Sequence, residues 1–197
     1  MAGGLLVASQ SSGGLSSNPP SQDTVADAGS IPATESQFCE VTANSAKEYF
    51  QLAQDAQKAR DDKNGILEKR ALDAMTAAAQ TRNNAIFRLV QSSNFTFEGW
   101  RVRLLEIGKP NNGGLSFSVR PLCSKTVTIH LLTTANGPAA EGLATTQKGD
   151  TLVLSGKFVE AYGDNGTNAA PRDPSRFERS ITERGSMEQP EYRAVLR

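Results

Sequence analysis

The chain has 197 residues, with 21 Lys and Arg against 21 Asp and Glu, so its formal net charge is zero. That length suits one domain of ordinary size with appendages, and the charge balance excludes a global basic field of the kind that draws in nucleic acid or an anionic membrane. Two cysteines and a single histidine, with no Cys-x-x-Cys pair, argue against a His/Cys metal site.

Residues 1–37 are rich in Gly, Ser, Ala and Pro and carry few large apolar side chains. Such a segment cannot bury enough surface to offset its conformational entropy, so a disordered leader is expected. The opening stretch 1–9 is apolar but short and lacks a basic start. It reads either as a plain terminus or as the tail of a secretory signal. No apolar run reaches the ~18–20 residues that cross a bilayer.

The character changes at residue 38. Proline disappears, and Ala, Gln and charged residues dominate through residue 93. Thr42, Asn44 and Ser45 are candidate N-caps, with Glu48 placed as in a capping box after Ser45. Tyr49, Leu52, Ala53, Ala56 and Ala59 follow at helical spacing. Residues 61–65 interrupt with Asn64-Gly65, which predicts a helical pair or one long kinked helix. The second helix is expected over 66–91. Its stripe is Leu67, Ala71, Ala74, Ala78, Ala85 and Leu89, flanked by Met75, Ile86 and Val90. Small residues there would let two helices approach closely, as intramolecular core or as an oligomerisation seam. Arg82 falls inside the stripe and marks a wet edge or an ion pair.

From residue 94 the period becomes two. In 95–108, Trp100, Val102 and Leu104 alternate with Arg101 and Arg103. Residues 109–114 are a turn. In 115–123, Leu115, Phe117 and Val119 alternate with Ser116, Ser118 and Arg120. In 125–133, Val127, Ile129 and Leu131 alternate with Thr126, Thr128 and His130. Lys148-Gly149-Asp150 turns into a fourth strand over 151–159. After a loop over 161–174, residues 175–181 predict a short helix or an irregular strand, and 182–192 read as polar and turn-like. Tyr192, Ala194 and Leu196 alternate with Arg193, Val195 and Arg197 in a closing strand. Alternation bounded by Gly, Pro and Asn is the mark of half-buried antiparallel strands.

Five strands with a long segment (134–147) between the third and fourth fit an α+β protein whose barrel is an OB-fold. The expected division is a leader (1–37), a helical region (38–93) and a barrel (94–197). The run Lys148-Gly149-Asp150-Thr151-Leu152-Val153-Leu154-Ser155-Gly156-Lys157-Phe158 is similar to the entry into the fourth strand of OB domains, where the glycine lets the strand bend. With Phe38-Cys39 at the head of the helices and Ser180-Ile181-Thr182-Glu183-Arg184-Gly185-Ser186-Met187-Glu188-Gln189-Pro190-Glu191-Tyr192 before the last strand, the chain resembles a bacterial family of OB-fold domains labelled tRNA-anticodon-binding-like. The label describes fold likeness. Many members look like envelope proteins, so the resemblance implies a periplasmic or envelope location, with the cytoplasm as alternative. Cys39 and Cys123 would form one bridge in an oxidising compartment, or stay as two small apolar residues in a reducing one.

OB-folds bind single strands with aromatic platforms and a basic groove. The expected outer face carries Ser116, Ser118, Arg120, Thr126, Thr128 and His130, with Arg101 and Arg103 beside them. It has no Phe, Tyr or Trp, because Trp100, Phe117 and Phe158 fall inside. A slip of one residue would reverse this. Nucleic-acid binding through Arg101, Arg103, Arg120, His130 and Lys157 is therefore the second reading. The first is a non-enzymatic module for a protein or envelope partner. Arg172, Arg176, Arg179 and Arg184, interleaved with Asp173, Glu178 and Glu183, are its candidate contact. No catalytic motif or cofactor signature is present, and Asp61-Asp62 reads as a cap or solvated pair.

Overall fold

The computed structural model describes residues 30–108, 115–133, 138–143, 145–161, 168–180 and 182–196. Most of the leader and the turn 109–114 therefore lie outside the described residues. Two long helices come first, α1 (Ala33–Asp61) and α2 (Gly65–Ser92). They are followed by β1 (Thr96–Gly108), β2 (Leu115–Pro121), β3 (Thr128–Thr133), α3 (Pro138–Leu143), β4 (Thr151–Val159), a 3-10 turn (Pro174–Arg176), α4 (Glu183–Glu188) and β5 (Glu191–Leu196).

The helices form a hairpin rather than a single kinked rod. Lys63 takes a left-handed backbone (φ 54°), and the Asn64 side chain accepts from the Leu67 backbone N–H at 3.2 Å, capping α2. The ion pair Arg60–Glu68 (2.7 Å) spans the turn. Further down the pair, Tyr49 packs against Ala79 and Met75. The alanine stripe is thus intramolecular where Ala78 is buried, beside Ala79, while Leu67 at the turn stays exposed.

Helix α1 begins earlier than the sequence suggests. Residues 33–37 are helical, so the leader cannot extend to 37, and Thr42, Asn44 and Ser45 lie inside the helix. The Thr42 hydroxyl donates to the Phe38 carbonyl at 2.8 Å, a mid-helix back-bond and not a cap. The extra turn is held by tertiary contacts. Glu35 is buried, and its carboxylate accepts the Arg101 backbone N–H at 2.9 Å.

The strands close a barrel in the order β1-β2-β3-β5-β4, with β3 and β5 parallel and the other pairs antiparallel. This is the OB arrangement expected. β1 is long enough to pair on both sides, and its register shifts near Gly99, where φ is +65°. β2 stops at Pro121, short of the expected 123, because proline has no N–H for the ladder. β3 starts at Thr128 rather than 125, because the Ser124 hydroxyl accepts from the backbone N–H groups of Thr126 and Val127.

The expected register holds. Trp100, Val102, Leu104, Phe117, Val119, Ile129, Leu131 and Phe158 fill the interior. Phe38 of α1 enters the same core, with ring centroids 5.2 Å from Trp100, 5.9 Å from Phe158 and 5.1 Å from Tyr192. Ile86, Phe87 and Val90 of α2 join it. The base of the hairpin is therefore part of the barrel core. Gly156 does more than let β4 bend: a Cβ there would lie 2.6 Å from the Val195 carbonyl and 2.7 Å from the Phe97 ring.

Cys39 and Cys123 lie at disulfide distance, with Cα atoms 5.9 Å apart. The bridge would join the first turns of α1 to the chain just past β2. Residues 182–192 are not simply a turn. α4 occupies most of them, capped by the Thr182 hydroxyl accepting from the Gly185 N–H at 3.0 Å and anchored by buried Met187.

Candidate functional site

The outer face of the barrel carries the first candidate. Register places Arg101 opposite Val153 on β4, and its carbonyl accepts the Leu122 N–H at 2.8 Å on the other side. The neighbouring row is Thr151, Arg103 and Arg120. Three arginines thus share one face with Val153 (52% exposed) and Leu122 (36% exposed). Arg103 and Arg120 are directly opposed, a like-charge pairing that a bare sheet disfavours. Arg120 leans on the Val127 carbonyl through Nε at 3.4 Å. Beneath this face sits Glu35. Burial pushes its carboxyl above the ordinary range, while the Arg101 backbone N–H and the Arg101 charge pull it back.

His130 stands one row along, opposite Ser118 and Arg193. Its Nδ1 is 3.2 Å from Ser118 Oγ, and its Nε2 is 3.1 Å from Glu191 Oε2. A Ser-His-Glu string invites comparison with a nucleophilic triad. Here it lies across three neighbouring paired strands, with Ser118 on β2, His130 on β3 and Glu191 on β5. Lys157 pairs with Thr96 and Val195 toward the other end of β4. The structure therefore groups Arg101, Arg103 and Arg120, sets His130 beside them, and leaves Lys157 apart.

The four arginines of the C-terminal segment do not act alike. Arg172 and Arg176 reach toward buried Glu160, at 3.9 and 3.5 Å. Arg176 also pairs with Asp173 (3.8 Å), whose carboxyl is held low by bonds from Ser175. Arg184 pairs along α4 with Glu188 at 2.7 Å. The Arg179 backbone N–H donates to the Glu191 carbonyl at 2.8 Å, and burial and the Arg179 charge together lower the pKa of Arg193.

The second candidate centres on Arg82, the cation inside the alanine stripe. It is fully buried and paired with Glu178. Nη1 donates to the Ser186 carbonyl at 2.5 Å, Nη2 to the Ser186 hydroxyl, and Nη2 and Nε to Asn83 Oδ1 at 2.7 and 3.1 Å. Ser186 Oγ in turn donates to Glu178 Oε2 at 2.8 Å. Burial raises the Glu178 pKa, and the Arg82 charge opposes the rise. Tyr192, buried beside this pair, has its phenol pushed far up by burial. An arginine in an apolar stripe was the one sequence signal for this network. Its partners lie too far along the chain for local pattern to find.

Fold and surface together define a closed five-stranded barrel of OB topology, plugged by a helical hairpin and presenting a mixed basic and apolar face. Comparison with family models, with curated proteins and with solved structures gave no match for this chain.

Proposed function

We propose that this protein is a non-enzymatic binding module that holds an acidic, partly apolar protein surface against the outer face of β1. The observation that carries the reading is the pair of rows Val153–Arg101–Leu122 and Thr151–Arg103–Arg120. Exposed aliphatic side chains beside directly opposed arginines suit a partner that brings carboxylates and aliphatic contact together. Among the described residues the face carries no Phe, Tyr or Trp on which a base could stack, and the His130 ring is engaged with Ser118 and Glu191, which weighs against a single strand as partner. Arg172, Arg176 and Arg184 pair with carboxylates of their own chain.

The setting is an oxidising compartment, the periplasm or cell envelope. This part of the reading rests on the Cys39–Cys123 spacing and on the family resemblance. No helix among the described residues is long and apolar enough to cross a membrane.

One observation favours the second reading, single-stranded nucleic acid or tRNA. The opposed Arg103 and Arg120 would be relieved by a phosphate between them. The test has two arms. A photo-crosslinker in place of Val153, used in living cells, should capture a defined protein, and Arg103→Glu with Arg120→Glu should abolish the adduct. Labelled single-stranded DNA, RNA and tRNA titrated at low and moderate salt should show no specific binding. Steeply salt-dependent binding lost in the same variant makes the second reading primary. Failure in both arms overturns the use of this face.

A further inference from the structure

A cleft of about 280 Å³ opens between α2 and the segment that carries the 3-10 turn and α4. Thr76, Gln80 and Asn83 line it from α2, and Ser175, Thr182 and Glu183 from the other side. Glu178 also lines it and is only 8% exposed. Its Oε2 is taken by Arg82 and Ser186, but Oε1 is buried with no hydrogen-bond partner among the described residues. The Ser180 hydroxyl, near enough to favour the charged carboxyl, is aimed at the Gln189 carbonyl at 3.5 Å. A buried carboxylate oxygen without a donor is costly, and such an atom at the wall of a polar cleft points to a donor that arrives from outside.

We propose that this cleft binds an ammonium group, carried by a small amine or by a lysine side chain of a peptide. An ammonium brings three donors, no acceptor and a positive charge. Glu178 Oε1 supplies the buried acceptor. Glu183, which the Tyr49 hydroxyl already contacts, supplies a second carboxylate. The Arg82 guanidinium and the Glu178 carboxylate form a net-neutral pair, so Glu183 supplies the net negative charge that favours a second cation. Among the described residues the lining contains hydroxyls and amides but no basic residue, which disfavours an anion, and no aromatic ring, which disfavours a sugar. The volume suits one short aliphatic amine or one side chain.

The test uses the full chain, isotopically labelled, followed by amide chemical shifts at constant ionic strength. Putrescine, an N-acetylated glycyl-lysyl-glycine and glucose are titrated separately. The signals of Thr76, Gln80, Asn83 and Ser175 should move with both amines and not with glucose, and the tighter of the two amines identifies the source. Gln80→Trp, at an exposed position of α2, fills the cleft and should abolish the shifts while leaving the thermal midpoint unchanged. Glu183→Gln should weaken binding about tenfold. Glu178→Gln removes the acceptor's charge directly. Should that variant fail to fold, Gln80→Trp and Glu183→Gln still decide the matter. No shift with either amine, equal shifts with glucose, or amine binding that survives Gln80→Trp overturns the proposal.

Discussion

The guanidinium of Arg82 on α2 and the carboxylate of Glu178, 96 residues further along the chain, form a buried ion pair that ties the helical hairpin to the segment between β4 and β5. Removing one partner leaves an uncompensated buried charge, so Arg82→Met should cost about 3–5 kcal/mol. Arg82→Met combined with Glu178→Leu should recover most of that loss. Urea unfolding of the single and double variants measures both. A double variant as unstable as Arg82→Met alone would show that the network as a whole, with Ser186 and Asn83, carries the stability.

The bridge between Cys39 and Cys123 closes a sequence separation of 84. Constraining a loop of that size in the unfolded chain is worth about 4.5 kcal/mol in the chain-entropy model. Protein isolated without reductant should take up no alkylating agent, and reduced, unfolded protein should take up two equivalents by mass. Cys39→Ser with Cys123→Ser should melt well below the oxidised protein. Two free thiols in the isolated protein would remove the support for an oxidising compartment.

Phe38 is the plug that α1 inserts into the barrel, in contact with Trp100, the chain's single tryptophan. Phe38→Ala should cost about 3–5 kcal/mol through lost burial and the cavity left behind. The same change should shift Trp100 fluorescence to longer wavelength, because water gains access to the indole. Unchanged emission with lowered stability would mean that the core collapses around the gap.

Glu35 supplies a pH signature. Burial raises its pKa above the ordinary 4.5, so the folded state keeps its proton to higher pH than the unfolded chain does. The stability it contributes is fully present below that ordinary value and is lost as pH rises through the folded pKa. Glu35→Gln lacks this titration. The stability of Glu35→Gln relative to the parent should therefore increase as pH rises from the ordinary carboxylate range through the raised folded pKa. A constant difference across that range would mean that the N–H groups around the carboxylate fully compensate for its burial.

On the outer face, Arg103→Glu turns a like-charge cross-strand pair with Arg120 into an attractive one. It should stabilise the fold by about 0.5 kcal/mol while abolishing partner capture. Lost stability instead would show that Arg103 has a structural role in the sheet.

Gly156→Ala should cost about 1–3 kcal/mol, since its methyl would meet the Val195 carbonyl and the Phe97 ring. Thermal unfolding checks this, and a neutral result would mean that β4 and β5 can part slightly.

The strands, their inward faces and the helical pair were legible because each is written in a local period. Val102, Leu104, Phe117, Val119, Ile129 and Leu131 alternate by two, and all are buried. The Asn64-Gly65 turn was equally local. What local pattern could not supply was any feature whose energy comes from contact between distant residues. Ser45-x-x-Glu48 has the spacing of a cap, yet α1 runs on to Ala33, because Glu35 and Phe38 gain more by docking on the barrel than a cap would provide. α4 was hidden because a helix of six residues has little propensity of its own, and buried Met187 with the Thr182 cap stabilises it. The sequence by itself determined the kinds of element, their order and which side of each strand is apolar. Only the tertiary structure decided where α1 begins, that Arg101, Arg103 and Arg120 share one face, and that Glu178 and Ser186 close on Arg82. Periodicity reports what each segment must bury. Which segments bury it together, and which polar groups are trapped between them, depends on chain closure over many residues.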